Sequence, residues 1–472
     1  MNEIIVVGLG VDEFDLPLVT EQLIKSHAVV VARTGEALSV KLLMQKYPKI
    51  KTLDSVYLKS RNFDTLNANL GKEILALAKE TPVLYLVDGS SQEDNSVKYI
   101  LKRAKNVKVI SGLSHANKCL QRAGVIEPSF TCASAYDLNT ANLSLPLVVT
   151  AIDGFMLASQ LKLSLTDRFG EEITAFVTSN AGVKKIKLYE LDRLKNYDYS
   201  TCLYIPSLPL VEKERFDFND LLKILEILRA PNGCPWDREQ TEKTILKNVI
   251  EEAYELVDAV EKEDDEQIVE ETGDLILQSA FYVIFGEEGY RYSRNDVLSG
   301  ICSKLISRHT HVFGGDKAVK ASDALSVWNN NKITEKGFET ATEYLKSVPS
   351  AMPSIMRAEK VGKRAKKYGF DFEKFEDALS KLNEEIEELK TAKLSGDCVE
   401  IEKECGDVLF SAVNCVRLLG IDGEIALSRS TEKFINRFSL MENEVLKSGK
   451  SLTDLNLNEL DKIYEKVKRD ED

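Results

Sequence analysis

Glu251-Glu252-Ala253-Tyr254-Glu255, followed by Glu271-Thr272-Gly273-Asp274, is the stretch on which the reading of this chain turns. The pattern returns at the same internal spacing as Glu384-Glu385-Ile386-Glu387-Glu388 followed by Glu404-Cys405-Gly406-Asp407. On a helix, residues three and four apart share a face, so Glu252 with Glu255, Glu251 with Glu255, and Glu271 with Asp274 point the same way. Two such helices packed antiparallel across a short turn near Asp264 and Asp265 gather these carboxylates. Like charges set so close raise each other's pKa unless a cation intervenes. Magnesium suits the arrangement, because it prefers oxygen ligands and keeps open positions for water and substrate phosphates. A single Glu-Glu-x-x-Glu is ordinarily a solvated helix face. Here the repetition, and the placement of the acids beside the apolar Ala253 and Leu256 or Ile386 and Leu389, argue for a ligand set. Glycine inside a helix costs about 1 kcal/mol against alanine, so Gly273 and Gly406 call for a reason such as close helix approach.

After each acidic pair comes a basic echo, Lys304-Leu305-Ile306-Ser307-Arg308 and then Lys433-Phe434-Ile435-Asn436-Arg437. Lys304 with Arg308, and Lys433 with Arg437, are i and i+4 and fit phosphate oxygens. From Phe216 onward apolar residues recur at helical spacing and strand signals almost vanish, so this part reads as all-helical. A polar break from Lys332 to Met352, flanked by Gly337, Pro349 and Pro353, separates its halves.

The first 210 residues have a different texture. Short β-rich runs at 4–7, 28–32, 83–87, 107–110, 147–151 and 173–178 alternate with helix-patterned segments, which argues for an α/β domain with a largely parallel sheet. The Ile205-Pro206-Ser207-Leu208-Pro209 segment ends it. The expected domains are therefore 1–210, 216–331 and 353–472.

Composition narrows the function. Lys and Arg number 62 against 76 Asp and Glu, a net charge of −14 that disfavours a broad nucleic-acid footprint. No run is long and apolar enough for a membrane span, and no signal peptide is evident at the N-terminus, so a cytoplasmic protein without membrane partners is expected. The eight cysteines show no Cys-x-x-Cys pair and read mostly as small core residues. Four histidines are too few for a His-rich metal site.

With Asn232-Gly233-Cys234-Pro235-Trp236-Asp237 and Arg308-His309-Thr310-His311-Val312-Phe313, the duplicated acids resemble the MazG nucleoside triphosphate pyrophosphohydrolases in their tandem form. The resemblance implies two all-α, four-helix-type domains that dimerise. It also implies magnesium-dependent hydrolysis of nucleoside triphosphates to monophosphate and pyrophosphate. By that resemblance the metal ligands are Glu252, Glu255, Glu271 and Asp274, and Glu385, Glu388, Glu404 and Asp407. Lys433 and Arg437 match phosphate-contacting positions, and Tyr464 stands where an aromatic faces the base. The chemistry needs an acceptor for the proton of the attacking water, a role open to Glu384 or Glu385. The first 210 residues resemble the tetrapyrrole methylases that use S-adenosylmethionine, through Val6-Val7-Gly8-Leu9-Gly10, Ile110-Ser111-Gly112-Leu113-Ser114 and Glu190-Leu191-Asp192-Arg193. That implies a cofactor pocket at Gly8, Gly10, Gly112 and Ser114. Two departures, Gly10-Val11-Asp12 for Gly-Pro-Gly-Asp and Asp88-Gly89-Ser90-Ser91 for a proline-containing turn, predict weak cofactor binding and a scaffold or sensor role. Two rival readings are a small-molecule-sensing regulatory protein and a methyltransferase with accessory helices.

Overall fold

A computed structural model describes residues 1–60, 63–140, 143–336 and 338–471. Gly337, one of the residues expected to mark the break between the helical halves, lies outside them. The chain divides into two compact units, Met1–Arg294 and Asn295–Asp472.

The first unit opens with a sheet of five parallel strands: β1 (Ile4–Gly8), β2 (Val29–Ala32), β3 (Lys51–Thr52), β4 (Val83–Val87) and β5 (Val107–Ile110), ordered β3-β2-β4-β1-β5. Both central strands, β1 and β4, are buried along their whole length, which is why they read as unbroken apolar runs rather than alternating ones. A second sheet follows, of β6 (Thr131–Ser134), β7 (Leu147–Thr150), β8 (Thr174–Ser179), β9 (Gly182–Lys187) and β10 (Cys202–Ile205), ordered β6-β7-β10-β8-β9. Only β6 and β7 pair in parallel; the other ladders are antiparallel. The parallel sheet expected from the alternating pattern is thus the first of two. β9 carries exposed Lys184 and Lys185 as an edge strand does, and so lacked the apolar signal of the runs read as strands.

The remainder of the described chain is helical. In the first unit α1 (Phe218–Arg229) buries Leu222 and Leu225 against α2 (Glu242–Glu261) and α3 (Asp265–Glu288), in a cluster with Ile245, Phe281, Ile284 and Phe285. Asp264 caps α3 by accepting from the backbone nitrogens of Glu266 and Gln267, and so ends the turn between the paired helices. In the second unit lie α4 (Ala321–Lys336), α5 (Ser354–Lys366), α6 (Phe375–Ser395), α7 (Cys398–Leu418), α8 (Gly423–Lys447) and α9 (Leu457–Glu471). The α6–α7 turn uses Gly396 in the left-handed region, φ 73°, followed by the cap Asp397. Arg417 is 4% exposed and pairs with Asp371, fastening α7 to the segment that follows α5. The cysteines are less internal than composition suggested: Cys119, Cys202 and Cys415 are buried, but Cys132, Cys302, Cys398 and Cys405 are exposed. The small thiol alone decides nothing where the helix turns its polar face outward.

Candidate metal centres

Antiparallel pairing of α2 with α3 follows from their short connection, and its register is fixed at two points. The Tyr282 hydroxyl donates to the Glu242 carbonyl at 2.9 Å, and Gln278 Nε2 donates to Glu252 Oε1 at 3.1 Å. Carboxylate oxygens of Glu252, Glu271 and Asp274 then lie within 4.8 Å of one another. The second copy repeats this on α6 and α7 with Glu385, Glu404 and Asp407, also within 4.8 Å. Glu255 and Glu388 stand exposed one turn along from Glu252 and Glu385, and Glu384 is exposed as well.

Several of these carboxyls carry the cost of burial and of close like charge. Burial, and then the charges of Asp274 and Glu255, hold the Glu252 carboxyl above its ordinary range. Glu271 is raised by burial and by Glu255 and Glu270. Glu388 is raised by burial and by Glu385 and Glu404. Two buried oxygens in these clusters, Gln278 Oε1 and Glu404 Oε2, have no hydrogen-bond partner. An all-oxygen set of carboxylates with spare buried acceptors fits a hard divalent cation such as magnesium.

Sequence reasoning missed three members of these sites. Gln278 lies one helical turn beyond Asp274 and is 5% exposed. Lys381, one turn before Glu385, pairs with Glu385 at 2.8 Å and Glu384 at 2.9 Å. Lys403 pairs with its neighbour Glu404 at 3.0 Å. The i, i+4 spacing of Lys381 to Glu385 was the available signal.

Gly273 and Gly406 do not mark the expected close helix approach. A Cβ at either would meet nothing within 4 Å, because both face outward. Of the basic residues, Lys304 is exposed, whereas Arg308 is 7% exposed, paired with Glu335 at 2.8 Å and set over the Trp328 ring at 5.2 Å. The His309 ring lies 4.7 Å from Trp328, tilted by 54°. Lys433 is exposed and Arg437 half-buried on α8, whose Phe434 lies 5.9 Å from the Tyr464 ring of α9.

In the first sheet, Gly8, Gly10 and Gly112 are brought together, but against backbone. A Cβ at Gly8 would come within 2.6 Å of the Gly112 and Ser91 nitrogens, and one at Gly112 would strike Gly8 and Gly10. Gly10, at φ 71°, exchanges backbone hydrogen bonds with Gly89. Ser114 caps the following helix, His115–Ala123, by accepting from the Asn117 nitrogen. Lys118 on that helix bridges Asp12 at 2.6 Å and Asp15 at 3.0 Å, closing the loop after β1. The departing turn has its own partner: Asp88 Oδ2 lies 2.7 Å from His115 Nε2. Burial opposes charge on His115, but the hydrogen bond to Asp88 and the charges of Asp88 and Glu93 together outweigh it and hold the imidazole above its usual pKa.

Tandem helical hairpins, each gathering three carboxylates, define a class of helical proteins with duplicated acidic sites. The MazG nucleotide pyrophosphohydrolase domain matches residues 240–313 and 373–439, and the chain belongs to that family. The nucleoside triphosphate pyrophosphohydrolase of Escherichia coli K12 is 38% identical over 254 residues, covering 53% of this chain and 97% of that protein. The uncharacterized protein YabN of Bacillus subtilis is 30% identical over 485 aligned positions, covering 100% of this chain and 99% of that protein. Among solved structures, uroporphyrin-III-C-methyltransferase from Thermus thermophilus aligns with a TM-score of 0.35 at 19% identity, covering 44% of this chain and 94% of that one.

Proposed function

We propose that the helical part of the chain hydrolyses nucleoside triphosphates to nucleoside monophosphate and pyrophosphate at magnesium sites built from the duplicated acids. One observation carries this reading: in each copy, three carboxylates from two antiparallel helices converge within 4.8 Å. The ligand sets are Glu252, Glu255, Glu271 and Asp274, and Glu385, Glu388, Glu404 and Asp407. Bound magnesium supplies charge neutralisation on the polyphosphate and lowers the pKa of coordinated water.

The chain's own side chains do the rest. Glu384 lies outside the converging trio and is exposed, so it is the better placed of the two candidates to accept the water proton, leaving Glu385 as ligand. Lys433 and Arg437 hold phosphate oxygens, and Tyr464 faces the base. The earlier basic pair is less available, since Arg308 is held by Glu335 while Lys304 is exposed. The working domains are 1–210, 216–331 and 353–472, in a cytoplasmic homodimer. Exposed Ile250, Tyr254 and Val257 on α2 and Leu409 and Phe410 on α7 support a second copy as cover for these faces. Among the described residues no helix is long and apolar enough to cross a membrane.

The N-terminal domain acts as scaffold or sensor. The glycines expected to cradle S-adenosylmethionine already abut one another, and this favours the sensing role over methyl transfer.

The test is product analysis on a nucleotide panel with and without magnesium. Monophosphate and pyrophosphate, dependent on the cation, are expected. Diphosphate and inorganic phosphate would place attack at the γ-phosphorus and overturn the assignment.

A further inference from the structure

The two acidic clusters share a geometry but not a charge balance. In the first, the hydrogen-bond donor to the trio is the neutral amide of Gln278. In the second, the ammonium groups of Lys381 and Lys403 sit on Glu385 and Glu404, at 2.8 and 3.0 Å. The repeat places Asn248 and Glu270 at the corresponding positions of the first copy, so one copy carries two cations where the other carries an amide and a further acid. The carboxylates gripped by the lysines are among the most buried acids of the second copy, with side chains 9% and 7% exposed, yet the lysine side chains are 39% and 62% exposed. A hydrated ammonium on a flexible stem can leave such a position at little cost. Glu404 Oε2 stays buried and unpartnered even with Lys403 on Oε1, an acceptor left over for a further cation.

We propose that Lys381 and Lys403 are resident counter-cations of the second acidic cluster, which magnesium must displace. Bare magnesium then loads the first copy at lower concentration, and the second copy takes its metal together with a polyphosphate, onto which the released ammonium groups turn. This inference rests on the magnesium sites proposed above. It divides the copies by the order in which metal and nucleotide arrive: metal first at Glu252, Glu271 and Asp274, and metal with substrate at Glu385, Glu404 and Asp407.

The experiment is calorimetric titration of the full chain with magnesium chloride, first alone and then with a non-hydrolysable α,β-imido nucleoside triphosphate. Without nucleotide, two steps are expected, the weaker by about tenfold for two displaced ion pairs. Asp274→Asn should remove the tighter step. Lys381→Asn with Lys403→Glu, the residues of the first copy, should bring the weaker step to the tighter one and abolish its further tightening by the analogue. The reciprocal Asn248→Lys with Glu270→Lys should weaken the first step by a similar factor and covers the case in which the first variant misfolds. A single class of equal sites in the wild-type chain, or a weaker step unmoved by Lys381→Asn with Lys403→Glu, overturns the inference while leaving the metal sites standing. No magnesium heat at either copy, together with no pyrophosphate from the hydrolysable nucleotide panel, overturns the proposed function and this inference with it.

Discussion

Replacing Asp274 by asparagine keeps the shape of the first acidic cluster and removes one of its charges, so its effect should change sign with magnesium. Carboxylate oxygens of Asp274 and Glu252 lie within 4.8 Å, a separation at which two unit charges repel by about 3.5 kcal/mol at an effective dielectric of about 20. Both side chains are only half-buried, and solvent screening reduces that figure to about 1 kcal/mol. In the presence of a chelator, Asp274→Asn should therefore raise the melting temperature of the transition containing α2 and α3, by about 2 to 4 °C for a unit of this size. Saturating magnesium stabilises the wild-type fold by mass action, about 2.7 kcal/mol at one hundred times the dissociation constant, and the variant should lose most of that gain at this copy. Differential scanning calorimetry of both proteins, with chelator and with magnesium, reads both effects in one experiment. A variant that melts lower than wild type in chelator and keeps its magnesium response would refute the reasoning, because the carboxylates would then be neither repelling one another nor holding the cation.

The two copies should differ in catalysis. In the proposed assignment Lys433, Arg437 and Tyr464 serve the second cluster, so Asp407→Asn should cost more pyrophosphate release than Asp274→Asn, and equal losses or the reverse order would count against the ranking. The magnesium increment in melting temperature should shrink as pH falls from about 7 to about 5, since the raised carboxyls Glu252, Glu271 and Glu388 take up protons in the folded state more readily than in the unfolded one. Their repulsion is relieved at low pH and grows as pH rises through the carboxylate range; an increment independent of pH would place the metal elsewhere. Glu287 has the opposite sign: its hydrogen bond to Arg294 holds it at about 2, so its contribution is present above the ordinary glutamate range and is lost as pH falls toward 2. Glu287→Gln should flatten the acid limb of the stability curve, as urea denaturation at several pH values would detect. For the N-terminal domain, calorimetry of the full chain with S-adenosylmethionine should show no micromolar binding, and a micromolar heat would restore the methyltransferase reading.

Most of the helical half was legible because its signal is long. The acid spacing, the apolar stripe and the short turn near Asp264 all point to one hairpin, and a duplicated motif checks itself. The orientation of single side chains was not legible. Arg308 sits on the helical period that suggested phosphate, but Glu335 and Trp328, distant in sequence, turn it inward. Gly273 and Gly406 looked like contact glycines because period alone does not say which flank of a helix meets its neighbour. In the first half, β3 is two residues long and β6 carries Thr131 and Cys132 rather than a β-branched apolar run, so neither stood out from the loops around it. Asp88 looked like damage to a cofactor turn, and its partner His115 could be found only through the fold.

The interlocked glycines after β1, β4 and β5 bear on how this domain tolerates change over generations. Three loops that ordinarily diverge fastest in an open sheet are here each other's packing surface, so a side chain gained at Gly8 or Gly112 must push on backbone that has nowhere to yield. Inherited variation should therefore be scarce at these positions whether or not any small molecule is bound there. A pattern of invariant glycines across descendants of this gene would record the geometry of loop contact and would be poor testimony for a retained cofactor.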